Sequence, residues 1–254
     1  MIRHIHLPET TSTNVIAREL DLNEEILLVS TDHQTAGRGQ RGNTWESAPN
    51  ENLLFTLVLR PTGVKATDQF VLCELISVAL CEVLSRYTEG IRIKWPNDIY
   101  HHDHKLSGIL IEHDIEGMNI ARTIIGIGLN VNQVNFISDA PNPISLCKIL
   151  GHEIDREALL YEICNAFTAL HQEMLTAPDC IQWRNALHQR YTTLLYRLGI
   201  SALYRDTLGT FSATLRHVEP DGRLRLEDEQ GTLRSYLFKE VGYIIHKYEK
   251  EYLI

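Results

Sequence analysis

The sequence predicts an α+β fold in which a mixed sheet with helices is followed by a smaller β domain. Two observations predict it: helix and strand patterns are mixed up to about residue 198, and only short strand patterns follow Gly199. The chain has 254 residues, of which 44% are apolar, so it can bury a sizeable core and is not expected to be disordered. We predict a first domain over residues 1–198 and a second over 199–254.

Hydrophobic periodicity and capping residues locate the elements of the first domain. Apolar residues recur at helical spacing over 68–87, and apolar runs typical of buried strands occupy 26–30 and 53–59. Ser12 and Asp155 are placed to begin two further helices. The full expectation is helices at 11–20, 68–87, 155–175 and 179–191, and strands at 26–30, 53–59, 91–95, 107–114 and 122–131.

The second domain is predicted to consist of short antiparallel strands. After Gly199 the runs SALYRD, TFSATLRHVE, RLRLED and TLRSYLFKEV alternate in polarity, and turn residues such as Pro220-Asp221-Gly222 separate them. Four or five strands in a segment of this length are typical of a small SH3-like β-barrel.

Composition excludes several classes of protein. No apolar run approaches the roughly 18 residues that span a bilayer, and the N-terminus lacks the apolar stretch of a secretory signal, so we predict a cytoplasmic protein. Five widely spaced cysteines without a C-x-x-C pair favour buried thiols over disulfides or a zinc site. The net charge of −9 disfavours general affinity for nucleic acid or anionic membranes. An anionic ligand would therefore need a local basic pocket.

The segment 33–45 is predicted to be an anion-binding loop. Its GRGQRG run, residues 37–42, satisfies the dinucleotide-binding expression, but the preceding strand ends six residues earlier and the run leads towards another strand. The loop contains no acidic residue, and Arg38 and Arg41 lie among glycines that allow close backbone approach to a ligand. Trp45 can stack on a flat heterocycle. The alternative, a solvated basic loop with a Trp packed in the core, stays open on the loop alone.

A second group of candidate residues surrounds the run IRIKWPND. In an extended strand Ile91, Ile93 and Trp95 share one face, and Asn97 and Asp98 follow where the strand ends, a common position for chemistry. Lys105 precedes an apolar strand, which predicts a partly desolvated ammonium group suited to phosphate or carboxylate oxygens. Asp98 would orient that lysine or help hold a magnesium ion. The alternative is that Lys105 protects a strand edge and Asp98 is a turn residue.

A third candidate is GIGLN, residues 126–130. Glycines weaken a strand unless a ligand or another backbone must come close, although packing of a helix on the sheet explains them equally well. Asn130 offers an amide that can bond to the edge of a base. His101, His102 and His104 are interpreted as a solvated loop rather than a metal site, because their spacing matches no common ligand pattern.

Taken together, these segments resemble the biotin protein ligase family, whose catalytic domain is class II synthetase-like. Order and spacing agree over most of the first 135 residues. The matching segments are Ser12-Thr13-Asn14, the run 34–42 with Trp45, the run 94–98, the run 105–110 and GIGLN at 126–130. The resemblance implies an enzyme that joins biotin to a lysine of a biotin carboxyl carrier domain. It implies ATP and Mg²⁺ as further requirements and biotinyl-5′-AMP as the intermediate.

The resemblance also implies roles for individual residues. Lys105, Arg38 and Asp98 are the expected catalytic residues, with Lys105 stabilising negative charge between the biotin carboxyl group and the α-phosphate. The expected biotin-binding residues are Ser12, Thr13, Asn14, Gln34, Arg38, Gly39, Gln40 and Lys105. The expected ATP-binding residues are Arg38, Arg41, Trp45, Lys94, Asn97 and Asn130, with Trp45 covering the adenine. Gln40 departs from the GRGRRG that many members carry, which removes one positive charge.

The sequence also limits the expected partners and leaves alternative functions open. Only eleven residues precede Ser12, so we predict no DNA-binding domain and no nucleic-acid partner. A monomer and a homodimer both stay open. One alternative is a lipoate or octanoate protein ligase of the same architecture, and another is a biotin sensor without catalytic activity. The KWPND run and the spacing of the glycine-rich loop from Trp45 favour biotin, and the presence of both Lys105 and Asp98 favours an enzyme.

Overall fold

The structure, a computed structural model, describes residues 2–39, 42–137 and 142–245. Its larger sheet is mixed: the first two strands are parallel and every other neighbouring pair is antiparallel. The strands are β1 (Ile2–Thr10), β2 (Ile26–Gln34), β3 (Leu53–Leu59), β4 (Ile91–Lys94), β5 (Asp98–His101), β6 (His104–Glu116) and β7 (Asn119–Leu129). They lie in the order β1-β2-β3-β7-β6-β5-β4. The two longest strands, β6 and β7, therefore occupy the middle of the sheet.

In the described ranges this sheet is accompanied by the α-helices α1 (Thr13–Glu19), α2 (Phe70–Leu84), α3 (Leu146–Leu150), α4 (Arg156–Thr176) and α5 (Cys180–Thr193). Almost every residue of α2 is buried, because this helix is enclosed by the sheet, α4 and α5. The short α1 covers the opposite face, where Ala17 packs with Leu27 and Val29 of β2. Both faces of the central strands are thus covered, which explains their continuous apolar runs.

The second sheet is a five-stranded antiparallel one. It contains β8 (Ser201–Asp206), β9 (Gly209–Val218), β10 (Leu224–Asp228), β11 (Leu233–Tyr236) and β12 (Gly242–Tyr243), in the order β11-β10-β9-β8-β12. It begins close to the predicted boundary at 198/199. Hydrogen bonds cross to the rest of the chain; for example, Trp95 Nε1 donates to the Gly222 carbonyl at 2.9 Å. The α+β class with a C-terminal β region is confirmed.

Most predicted elements are present, with differences of a few residues at their ends. The helix predicted over 68–87 spans 70–84, and the strand predicted over 26–30 continues to residue 34. Asp155 and Asp179 accept backbone N–H bonds at the starts of α4 and α5, as N-cap residues do. Ser12 occupies the N-cap position of α1 without a side-chain cap bond.

Among the described elements, two strands and one α-helix before residue 199 were not predicted, and β12 lies just beyond the last predicted run. The strand β1 is an edge strand with polar residues and Pro8, a composition that hides its strand pattern but is tolerated at an edge. The strand β5 has four residues directly after Pro96-Asn97, and α3 has five, so both are too short for a clear period. The expectation of buried thiols fails at Cys180, which is exposed, whereas the other four cysteines are buried. No helix within the described ranges is long and apolar enough to cross a bilayer.

Candidate functional site

The floor of the candidate site is a patch of glycines on β6 and β7. Gly108 pairs with Gly128 across the two strands. A Cβ atom added at Gly126 would lie 2.1 Å from Asn14 Oδ1, and one added at Gly128 would lie 2.3 Å from Trp45 Cε2. The sequence left open whether a ligand, a backbone or a helix approaches these glycines. Asn14 of α1 occupies the space above Gly126, and the indole ring of Trp45 occupies the space above Gly128.

One end of the site is built from buried polar side chains at the start of α1. Gln34 Oε1 accepts from the backbone N–H of Thr13 at 2.8 Å, and Thr56 Oγ1 donates to Asn14 Oδ1 at 2.7 Å. Asn14 Nδ2 donates to Glu112 Oε2 at 3.1 Å. These bonds fix the orientation of the Asn14 amide, because its oxygen and its nitrogen each have a separate partner. Ser12, Thr13 and Asn14 are each less than 5% exposed.

The cationic groups lie on the other side of the floor. Lys105 Nζ donates to Asp98 Oδ2 at 2.8 Å, and both side chains are only about a quarter exposed. The β5–β6 hairpin produces this pair because it places residues 98 and 105 on neighbouring strands. Arg38 is half exposed, and its guanidinium lies 3.8 Å from Glu112 Oε1. Glu112 therefore contacts the Asn14 end of the site with one oxygen and Arg38 with the other.

Trp45 lies across the glycine floor between these groups. Its ring contacts Gly108 and Gly128, and the Lys105 ammonium is 5.8 Å from its centroid. Trp45 Nε1 is buried and has no hydrogen-bond partner among the described residues. Such a ring presents a flat apolar surface beside a cation, a surface on which an aromatic heterocycle can stack.

These groups enclose one cavity of about 530 Å³, within the usual size of ligand pockets. Its described lining includes the predicted residues Ser12, Thr13, Asn14, Gln34, Arg38, Gly39, Trp45, Asp98 and Lys105. Two cations, Arg38 and Lys105, and one carboxylate, Asp98, are in this lining, and Glu112 lies 3.8 Å from Arg38 beside it. In a chain that carries −9, the cavity thus gathers two cationic side chains that an anionic ligand can contact.

Three predicted ATP-binding residues are not part of this lining. The Lys94 ammonium lies 4.9 Å from the ring centroid of Tyr243 and 5.5 Å from that of Tyr100, and burial lowers its pKa. Asn97 is buried. Asn130 Nδ2 donates to the Ile144 carbonyl at 3.1 Å, while its Oδ1 has no hydrogen-bond partner among the described residues. Gln40 and Arg41, predicted to bind biotin and ATP, lie outside the described residues.

Sequence reasoning missed several groups at the site. Glu112 was not singled out, because a carboxylate on a predicted strand has no local signal for a contact with Arg38, 74 positions earlier in the chain. Thr56 was missed for the same reason. The lining also includes five residues for which no role was predicted, Asn43, Thr44, Gly108, Ile109 and Leu110, together with Gly126, Ile127 and Gly128 of the predicted GIGLN candidate. The sequence singles out Gly126 and Gly128, because glycines in a strand mark a close approach, and Gly108 gives the same signal on the paired strand.

A magnesium ion was expected at this site, and the chemistry of the donors allows one. No group of three or more His, Cys, Asp or Glu side chains is arranged for a metal in the described part of the chain, the histidines at 101–104 included. Magnesium that arrives with a nucleotide needs only one or two carboxylates, because phosphate oxygens and water complete its octahedron. Asp98 is the carboxylate among the described residues that line the cavity.

Comparison with known proteins identifies a matching family and related sequences. The profile of the biotin/lipoate A/B protein ligase family matches residues 7–130. The chain is 34% identical over 241 residues to the bifunctional ligase/repressor BirA of Bacillus spizizenii, which covers 89% of this chain and 70% of that protein. It is 30% identical over 240 residues to a biotin acetyl-CoA-carboxylase ligase of Paracoccus denitrificans, which covers 89% and 94% respectively.

A solved structure shares the fold. The biotin protein ligase from Aquifex aeolicus, in complex with biotin and ATP, superposes with a TM-score of 0.78 and 24% sequence identity. The superposition covers 96% of this chain and 99% of that one. It includes the C-terminal region, so the likeness extends over both sheets.

Proposed function

Because the chain belongs to the biotin protein ligases of the biotin/lipoate A/B protein ligase family, we propose that it joins biotin to a carrier lysine in two steps. In the first, a biotin carboxylate oxygen attacks the α-phosphorus of ATP, pyrophosphate leaves and biotinyl-5′-AMP forms. In the second, the carrier lysine amine attacks the acyl carbon, gives up a proton and displaces AMP. The enzyme is thus an ATP-dependent ligase that forms an amide bond. Its partner is the biotin carboxyl carrier domain of a biotin-dependent carboxylase, consistent with the acetyl-CoA carboxylase in the name of the Paracoccus relative.

The observation that carries the proposal is the pair of cations in an otherwise acidic protein. A carboxylate and a phosphate repel each other, so their reaction needs preorganised positive groups between them. Lys105 is held by Asp98 at 2.8 Å on two paired strands, so its ammonium is in place before the substrates arrive. Lys105 stabilises the developing charge in both steps, Arg38 neutralises the phosphates, and Asp98 positions Lys105.

The polar residues around α1 suit the biotin end of the site. The ureido group of biotin both donates and accepts hydrogen bonds, and the buried Ser12, Thr13 and Asn14 supply donors and acceptors. Hydrogen bonds to Gln34 and Thr56 hold Thr13 and Asn14 in place. Gln34, Gly39 and the region of Gln40 complete this end. Apolar side chains such as Ile109 and Ile127 line the same cavity and suit the remainder of the vitamin.

The nucleotide end is proposed around Trp45. Its ring would cover the adenine, Arg41 would add positive charge near the phosphates, and the Asn130 Oδ1 acceptor would receive the adenine amino group. Lys94 and Asn97 are proposed to contribute indirectly. Lys94 pairs with Asp98 in the β4–β5 register, so the two oppositely charged side chains lie on neighbouring strands and attract each other. Magnesium would be held by Asp98 and the phosphates and would shield their charge.

Isotope exchange between ATP and pyrophosphate tests the first step. Biotin is expected to promote exchange, whereas lipoate and octanoate are not, because both the resemblance and the name of the Paracoccus relative concern biotin. Exchange with lipoate and none with biotin would contradict the proposed substrate.

Incubation with ATP, magnesium, biotin and a carrier domain tests the second step and should yield covalently biotinylated carrier. A chain that binds biotin but modifies no carrier would instead be a sensor. The reaction involves no nucleic acid, in keeping with the net charge of −9.

A further inference from the structure

A buried polar junction lies beside the nucleotide end of the site and takes no part in the chemistry proposed above. Strand register creates it: Leu53 at the start of β3 pairs with Leu129 at the end of β7. The segment before β3, which carries Trp45, and the segment after β7, which carries Asn130, therefore run side by side. We call the side chains of Glu46, Asn52 and Gln133 in these segments the amide junction.

Gln133 is the centre of the amide junction and is only 3% exposed. Its Oε1 accepts from Asn52 Nδ2 at 2.6 Å and from the Ala48 N–H at 3.0 Å. Its Nε2 donates to Glu46 Oε1 at 3.2 Å and to the Asn135 carbonyl at 2.8 Å. Both donors and the acceptor of this amide are thus used, which fixes its orientation.

Asn52 extends the amide junction to the residue that follows Asn130. It is completely buried, and its Oδ1 accepts from the Val131 N–H at 2.9 Å. Glu46, the residue after Trp45, also accepts from the Ile137 N–H at 2.9 Å. Trp45 is therefore directly followed by Glu46 of the amide junction. Asn130 is directly followed by Val131, whose N–H is bound by Asn52.

We propose that Gln133 and Asn52 are positioning residues for the nucleotide, which act by fixing Trp45 and Asn130 relative to each other. This inference rests on the proposed function, in which Trp45 and Asn130 bind the adenine. A ligand that needs both groups at once binds more tightly when they are ordered beforehand, because less conformational freedom is lost on binding. The biotin end is held separately, through Gln34 and Thr56. Loss of the amide junction should therefore weaken ATP binding and spare biotin binding.

Exchanging the amide of Gln133 and the carboxylate of Glu46 tests the proposed positioning role directly. Gln133→Glu replaces the donor that faces Glu46 with a second carboxylate, so the KM for ATP in pyrophosphate exchange should rise at least about fivefold. The KM for biotin should stay within about twofold. Adding Glu46→Gln restores one donor and one acceptor to the pair and should recover most of the loss, as a double-mutant cycle would show.

Asn132→Ala is the matched control. Asn132 is the neighbouring amide, but its side chain bonds to the backbone of Ile154, at 2.9 and 3.0 Å, and not to the amide junction. This variant should lower stability without a selective effect on ATP. If Gln133→Glu does not fold, Asn52→Asp replaces it with the same expectation, since it keeps the acceptor for Val131 and loses the donor to Gln133.

The outcomes separate this inference from the function on which it rests. An ATP-selective rise in KM that Glu46→Gln reverses supports the positioning role. Equal changes for ATP and biotin, or unchanged values in a folded variant, overturn that role while the wild-type activity stands. A wild-type chain without biotin-dependent exchange contradicts the proposed function itself and, with it, this inference.

Discussion

Individual residues of the site differ in how firmly the structure holds them. Lys105 and Asp98 form a close pair between two strands, whereas Arg38 is half exposed and lies 3.8 Å from its carboxylate partner. A partly desolvated, fixed charge stabilises a transition state more than a mobile one, because little reorganisation is needed during the reaction. Lys105 should therefore be the most sensitive position for the adenylation rate.

Lys105→Ala is expected to lower the rate of biotin-dependent pyrophosphate exchange by at least about 100-fold, since it removes a preorganised cation. Lys148→Ala, which changes an exposed lysine of α3, is the control and should leave the rate unchanged. Circular dichroism should show both variants folded. A near-normal rate for Lys105→Ala would make Lys105 a structural residue.

Removal of the Trp45 ring should weaken the binding of ATP more than the binding of biotin. Trp45→Ala is expected to weaken ATP binding by about tenfold, the order of one stacking contact, and to change biotin binding much less. Titration calorimetry with each ligand measures the two affinities. Trp183→Ala, on α5 and outside the cavity, controls for the loss of an indole. The stacking role would be wrong if both ligands lost affinity equally.

At the scale of elements, the glycines of β7 decide what can lie on the sheet. Gly126 faces Asn14 at the biotin end, and Gly128 faces Trp45 at the nucleotide end. The two positions lie on the same face of one strand, since side chains alternate with a period of two. One strand therefore supports both ends of the cavity.

Two alanine substitutions in β7 should have opposite selectivity. Gly126→Ala places a Cβ where Asn14 Oδ1 lies, so biotin affinity should fall at least about fivefold more than ATP affinity. Gly128→Ala displaces Trp45 and should show the reverse. Calorimetric titration of each variant with both ligands provides the measurement, and each variant is the control for the other. Matching losses in the two variants would contradict this division of the floor.

At the scale of the whole molecule, α5 joins the helical layer to the second sheet. His188 of α5 bonds to Glu74, which is buried in α2, and it also lies close enough to the Val218 carbonyl of β9 to be influenced by it. The bond with Glu74 raises the pKa of His188, while burial raises the pKa of the Glu74 carboxyl. The stability of the contact between the helical layer and the second sheet should therefore depend on pH.

The sign of this linkage follows from the raised pKa of His188. The folded state favours the protonated imidazole, so the stabilisation is fully present below about pH 6.5 and is lost as the pH rises through the folded-state pKa. The free energy of unfolding of the wild type should exceed that of His188→Gln by more at pH 6 than at pH 9, as measured with denaturant. For the exposed His152, the variant His152→Gln should show no such dependence. A difference that does not change with pH would contradict the linkage.

The sequence by itself determined the classes of element, the α+β fold and the chemical groups of the site. These depend on local periodicity, on capping residues and on a set of motifs in a fixed order, all of which can be read without knowing which strands pair. Lys105, Asp98, Arg38 and Trp45 were singled out in this way, and the structure gathers them around one cavity.

Only the tertiary structure decided which distant residues meet. The packing of α1 against β2, β3 and β7 brings Asn14 above Gly126. The segment between β2 and β3 brings Trp45 above Gly128, and the pairing of β3 with β7 forms the amide junction. The same pairing scheme includes β1 and β5, which have no clear pattern of their own. It also leaves Lys94 beside Tyr243 of the second sheet rather than in the cavity. Such contacts depend on strand register and on packing across the sheet, and neither is contained in the local pattern of any one segment.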